Sequence, residues 1–61
     1  MFFIKVHSSI VNEIMLVRGD LILKITDALN HRVIEFTCGE TEYVTETLTE
    51  LTNMLNKHIK T

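Results

Sequence analysis

The residues of this chain that could bind a metal ion are three histidines and one cysteine. His7, His31, His58 and Cys38 are widely spaced, and none of the intervals matches a ligand pair such as C-x2-C or H-x3-H. The histidines are better interpreted as surface residues, or as a cation near a helix end in the case of His58. The sequence therefore predicts no metal site and no bound cofactor.

Histidine and cysteine are also residue types that act in nucleophilic catalysis. Cys38 lies near Glu35 and Glu40, and neighbouring carboxylates disfavour the thiolate form that would react. His7 and Ser8 are adjacent, but no nucleophile-elbow motif or second polar cluster surrounds them. Two glycines are too few for a phosphate-binding loop. The sequence therefore predicts that this protein is not an enzyme.

Charge and hydropathy limit the partners and the location. Six basic and eight acidic residues leave a net charge near −2, which does not favour nucleic acid, because phosphate binding needs clustered cations. The densest basic stretch, residues 57–60, suits the end of a helix. A single cysteine excludes an internal disulfide and favours a reducing, cytoplasmic setting. The N-terminus lacks a basic n-region, and the longest apolar run is four residues, so we expect no signal peptide and no membrane insertion.

Hydrophobic periodicity predicts a single α+β domain over residues 1–61. Alternation with a period of two indicates a small antiparallel β-sheet of four to five strands. After Thr45 the period lengthens to about 3.6, which indicates one C-terminal amphipathic helix. The predicted strands are at about 2–7, 13–17, 21–26, 32–37 and 41–45, and the predicted helix is at about 47–58.

Turn and cap residues set the boundaries of these elements. Arg18-Gly19-Asp20 predicts a turn that uses the tolerance of glycine for positive φ, and Cys38 to Thr41 predicts a hairpin connection around Gly39. Thr47 followed by Glu50 predicts a capping box, in which each side chain satisfies a free backbone N–H of the first turn. Glu46 suits the positive end of the helix dipole.

The predicted helix carries an apolar stripe formed by Leu48, Leu51, Leu55 and Ile59, with Met54 beside it. A twelve-residue helix is not stable alone in water, so we expect the stripe to pack on the sheet or on another chain. In the second predicted strand, the run 14–17 is apolar enough to be buried on both faces. In the third predicted strand, we expect one face to carry Leu21, Leu23 and Ile25.

One short helix covers only one face of one sheet. The apolar surface that remains uncovered indicates that the protein associates with another chain. We expect a homo-oligomer or a complex with a protein partner. An alternative is that these residues simply fill the core. The candidate interaction residues are the apolar ones at the N-terminus, in the second strand and on the helix: Phe2, Phe3, Met15, Val17, Leu51, Met54 and Leu55.

The order of motifs resembles that of the FlbD/SwrD-type small bacterial proteins, named from flagellar and swarming loci. The residues that carry the resemblance are Ile4-Lys5-Val6, Asp20-Leu21-Ile22, Ile25, Val33-Ile34, Gly39, Tyr43 and Glu46-Thr47. The chain departs from that pattern in having Val44 directly after Tyr43 and extra residues before Asp20 and around Asn30. The resemblance implies a compact sheet with a C-terminal helix, no cofactor and no catalysis.

A second resemblance covers only the N-terminal stretch. Residues 3–12 are similar to the F-x-R-V-H-R-S-Y-I-V-N segment of LytTR-type DNA-binding domains, with one residue deleted and without the arginine that follows the histidine. This resemblance implies an alternative function, a minimal DNA-binding transcription regulator. Its candidate contacts are Lys5, His7, Ser8 and Asn12.

Overall fold

The computed structural model describes residues 1–58 and has the predicted α+β architecture. Five antiparallel strands precede one C-terminal helix, which confirms the predicted fold class. The strands form two small sheets, one of two strands and one of three, joined by an isolated bridge between Ser8 and Val44. The elements are β1 (Phe3–His7), β2 (Ile14–Arg18), a 3-10 turn (Gly19–Leu21), β3 (Ile22–Asp27), β4 (Arg32–Phe36), β5 (Thr41–Val44) and α1 (Leu48–His58).

In the β1–β2 hairpin, every second side chain of β1 is buried. Ile4 and Val6 are buried between the two sheets, and they lie opposite Val17 and Met15 of β2. The intervening residues of both strands must point the other way, because successive side chains alternate across a strand. The hairpin therefore has an inner face in the core and an outer face toward solvent.

The three-stranded sheet contains a bulge that the alternation did not predict. The register between β3 and β4 shifts between Ile22 and Lys24, so Leu23 lies opposite no residue of β4 and is 62% exposed. Ile22 and Ile25 then pack against the core together. The expectation that Leu23 lies on one face with Ile25 is wrong, because an extra residue reverses the alternation on one side of the bulge.

The two glycines are required for different reasons. Gly39 has φ of 95° in the β4–β5 turn, as the sequence predicted. Gly19 has no positive φ. It is buried, and a Cβ atom there would overlap with Cε2 of Phe2. The prediction that Gly19 serves a left-handed turn is therefore wrong. Glycine is needed at this position because the Phe2 ring occupies the space of a side chain.

The helix begins where the capping box predicted. Thr47 N–H donates to Glu50 Oε1 at 2.8 Å, and Glu50 N–H donates to Thr47 Oγ1 at 3.1 Å. Leu51 is completely buried, while Met54 and Leu55 are half-buried against the core. Leu48 is 38% exposed at the edge of this contact, and the predicted stripe residue Ile59 lies outside the described residues. The helix thus packs on the sheets through one turn of its apolar stripe.

The core itself is small. Within residues 1–58, the buried hydrophobic residues come from β1, β4, β5 and α1, and they are Ile4, Val6, Ile34, Phe36, Val44 and Leu51.

Candidate interaction surface

The outer face of the β1–β2 hairpin, here called the hairpin face, combines apolar and basic side chains. Its apolar residues are well exposed: Phe3 at 49%, Ile14 at 61% and Leu16 at 68%. In the register of the hairpin, Leu16 lies opposite Lys5 and Ile14 lies opposite His7. Neither strand contains an acidic residue. The hairpin face therefore offers apolar contact area flanked by cations, and its members are Phe3, Lys5, His7, Ile14, Leu16 and Arg18.

A groove of about 310 Å³ opens beside β2. Its lining includes residues 16–18 of β2, Phe3 and Phe36, together with Glu40, Glu42 and the exposed Cys38. The groove thus combines apolar side chains with two carboxylates and the Arg18 guanidinium.

The structure separates the predicted interaction residues into three groups. Phe3 is exposed on the hairpin face. Five others are half-buried against the core within the chain: Phe2, Met15, Val17, Met54 and Leu55. Leu51 is completely buried within the chain, where the rest of the core covers its side chain, and its assignment as a contact residue stays a prediction.

Ile14 and Leu16 were absent from the predicted set although they are among the most exposed apolar residues. The run 14–17 is apolar on both faces, as the sequence indicated, and the chain itself covers only the face of Met15 and Val17. The available signal was the antiparallel pairing with β1, in which the residues opposite Ile14 and Leu16 are His7 and Lys5. Residues directly opposite each other in an antiparallel pair share one face of the sheet, so Ile14 and Leu16 lie on the same face as His7 and Lys5.

A hydrogen-bonded pair joins the end of β1 to the start of α1. Both carboxylate oxygens of Glu46 accept the His7 backbone N–H, at 2.9 and 3.1 Å, and Oε2 lies 2.7 Å from His7 Nδ1. Burial raises the pKa of Glu46, but the hydrogen bonds from the His7 ring and backbone outweigh it, and the net direction is down. The sequence assigned Glu46 only to the helix dipole. Its larger role is to link two elements that are 39 residues apart.

A histidine held by a carboxylate is also the geometry of a general base. The nearest hydroxyl in sequence, that of Ser8, instead accepts the backbone N–H groups of Ile10 and Val11 at 3.2 and 3.1 Å. Among residues 1–58, no hydrogen bond joins the His7 ring to a hydroxyl or thiol that could act as a nucleophile. What the hydrogen bonds do show is that the Glu46 carboxylate links the end of β1 to the segment before α1.

The four candidate DNA contacts do not form a cationic surface. Lys5 and His7 share an open cleft with Glu46 and Glu50, so two carboxylates lie next to the lysine and the histidine. The Ser8 hydroxyl is occupied by the turn that follows β1, and Asn12 is exposed in that loop. A phosphate placed at this cleft would meet acidic groups as well as basic ones.

Arg18 closes the other end of the hairpin face. Its Nε donates to Asp20 Oδ1 at 3.1 Å, and Nη2 donates to Oδ2 at 2.5 Å. The hydrogen bond from Arg18 is the main reason that the pKa of Asp20 falls to about 2. The guanidinium is therefore held at the corner between β2 and the 3-10 turn.

Residues 1–58 contain no group of three or more histidine, cysteine or acidic side chains able to hold a metal ion. In the same part of the chain, no helix is long and apolar enough to cross a membrane. Comparison of the chain with protein-family models, with curated proteins and with solved structures found no match.

Proposed function

We propose that this protein is a non-catalytic interaction module that associates with further copies of itself through the hairpin face. The observation that carries the proposal is the exposure of Phe3, Ile14 and Leu16 on one side of a two-stranded sheet. Scattered exposed apolar residues are normal on a protein surface, but contiguous ones typically mark an interaction site.

The free energy available from this surface is large relative to the size of the domain. Full burial of a leucine or isoleucine side chain contributes roughly 1.5–3 kcal/mol. Ile14 and Leu16 are about two-thirds exposed, so covering each one should contribute about 1–2 kcal/mol, and Phe3 should contribute a similar amount. A domain of 61 residues has a total stability of only about 3–9 kcal/mol. Association through the hairpin face would therefore add substantially to the stability of each copy.

Sedimentation equilibrium or light scattering tests the proposal. The protein concentration is varied over roughly 5–500 µM, an interval that includes typical micromolar dissociation constants. We expect the mass to rise above 7.1 kDa with concentration. Leu16→Glu should abolish that rise, because a charge would be placed within the contact. A protein that stays at 7.1 kDa at the highest concentration would contradict the proposal.

Leu23 provides a matched control for this experiment. It is exposed to a similar degree, 62% against 68% for Leu16, but it lies in the bulge of the other sheet. Leu23→Glu makes the same chemical change and should leave the association unchanged. Equal effects of the two substitutions would show that added charge, and not the hairpin face, governs the mass.

A FlbD-like identity is part of the proposal, and the element order agrees with what that resemblance implies. The alternative class is a minimal DNA-binding regulator that uses Lys5, His7, Ser8 and Asn12. Salt-dependent binding to duplex DNA that is lost in Lys5→Ala would support this alternative. We favour the interaction module because the carboxylates of Glu46 and Glu50 lie beside Lys5 and His7.

A further inference from the structure

His7 belongs to the hairpin face and to the attachment of α1 at the same time. Its side chain lies on the hairpin face opposite Ile14, and its ring is hydrogen-bonded to Glu46, two residues before α1 begins. We propose that Glu46 is a positioning residue for the hairpin face, which couples the docking of α1 to the association of copies. This inference rests on the proposed function, because it concerns what controls the same surface.

The last residue of β1 is joined to the segment before α1 through both its backbone and its ring. The His7 N–H and ring bind the Glu46 carboxylate, and the His7 C=O accepts the Thr45 N–H at 3.0 Å. The capping box of Thr47 and Glu50 follows directly. The first turn of α1 is therefore held by the same residue whose side chain lies on the hairpin face.

The Glu46 carboxylate also determines which ring nitrogen of His7 carries a proton. Because the hydrogen bonds from His7 lower the pKa of Glu46, the carboxylate is ionised at neutral pH and only accepts hydrogen bonds. Nδ1 must therefore be the donor in the 2.7 Å contact. The ring is half-exposed, so a second copy that covers the hairpin face meets an imidazole whose orientation and donor nitrogen are already fixed.

The unequal exposure of the two side chains gives the direction of the coupling. The Glu46 side chain is 11% exposed and the His7 side chain is 52% exposed, so the carboxylate has lost most of its water already in the single chain. Covering the hairpin face then removes water mainly from the imidazole, and a polar ring costs less to desolvate than a carboxylate. The hydrogen bond to the ionised group strengthens as water is excluded. Association should therefore stabilise the docked helix, and by reciprocity a firmly held helix should strengthen association.

Glu50 provides a matched control for Glu46. Both carboxylates line the cleft that contains Lys5 and His7, but the Glu50 carboxylate accepts the backbone N–H of Thr47. Glu50→Gln removes the same charge from the same cleft, and glutamine also serves at this position of a capping box. Glu46→Gln and Glu50→Gln therefore differ mainly in the contact with His7.

Amide hydrogen exchange of the wild-type protein, measured by NMR at low and high concentration, tests the coupling without any substitution. The amides of Met54 and Leu55 report opening of α1, and that of Ile34 in the central strand reports global unfolding. We expect the two helix amides to exchange faster than Ile34 at low concentration and to slow at least about fivefold as the mass rises. Helix amides no faster than Ile34, or unchanged while the mass rises, would overturn the inference.

Sedimentation equilibrium of the two variants measures the same coupling from the side of association, at a temperature where circular dichroism shows both to be folded. We expect the dissociation constant of Glu46→Gln to exceed that of Glu50→Gln at least about fivefold, the lower end of typical coupling between two sites. Equal dissociation constants would overturn the coupling and leave the proposed function intact. A wild-type mass that stays at 7.1 kDa would reject both.

Discussion

Leu51 provides the sharpest test of how the helix stabilises this fold. Its side chain is fully buried, whereas Leu48 on the same helix is 38% exposed. Replacing each leucine with alanine makes the same chemical change in the same element, and alanine is at least as favourable to a helix as leucine. The two variants therefore differ mainly in burial.

The expected magnitudes follow from that difference. Truncation of a fully buried leucine removes three carbons at about 0.8 kcal/mol each and leaves a cavity, so Leu51→Ala should lower the free energy of unfolding by about 3 kcal/mol. At Leu48, solvent can occupy the vacated space, and the expected loss is about 1 kcal/mol or less. A difference of about 2 kcal/mol corresponds to roughly 8–16 °C in melting temperature for a domain of this size.

Thermal and urea unfolding followed by circular dichroism, at one protein concentration, measure both effects. Because the total stability is only about 3–9 kcal/mol, Leu51→Ala could leave the chain unfolded at 25 °C, and Leu51→Val provides a milder variant with an expected loss of about 1 kcal/mol. Equal losses in Leu51→Ala and Leu48→Ala would refute the reasoning, since the helix would then not be held by the burial of Leu51.

Two further predictions concern contacts between distant parts of the chain. Gly19→Ala should lower the free energy of unfolding by about 1–3 kcal/mol, measured by urea unfolding, because the new Cβ meets the Phe2 ring; unchanged stability would show that the ring moves aside freely. Glu46→Gln should cost about 1–2 kcal/mol at neutral pH, because the charge-assisted hydrogen bonds to His7 are weakened. Since folding lowers the pKa of Glu46 from 4.5, its contribution is complete above about pH 4.5 and is lost as the pH falls through the folded pKa. The stability difference between wild type and Glu46→Gln should therefore shrink below pH 4.5, and a difference that does not depend on pH would contradict this account.

Much of the local structure could be predicted from the sequence because it depends on residues close together in the chain. The alternation in β1, the capping box at Thr47 and Glu50, and the positive φ of Gly39 each involve fewer than six consecutive residues. Their physical causes are local sterics and local hydrogen bonds. The α+β class follows from the same signals, because the period changes only once along the chain.

The tertiary structure alone decided which apolar surface remains exposed. The bulge at Leu23 depends on how β3 meets β4, and the need for glycine at position 19 depends on a ring seventeen residues earlier. The link between His7 and Glu46 likewise joins residues that no sequence pattern relates. These features arise from packing between distant segments, and one residue of register reverses which side chains face the core. The sequence indicated an excess of apolar strand surface, and only the packing of the sheets and helix placed that excess on Ile14 and Leu16.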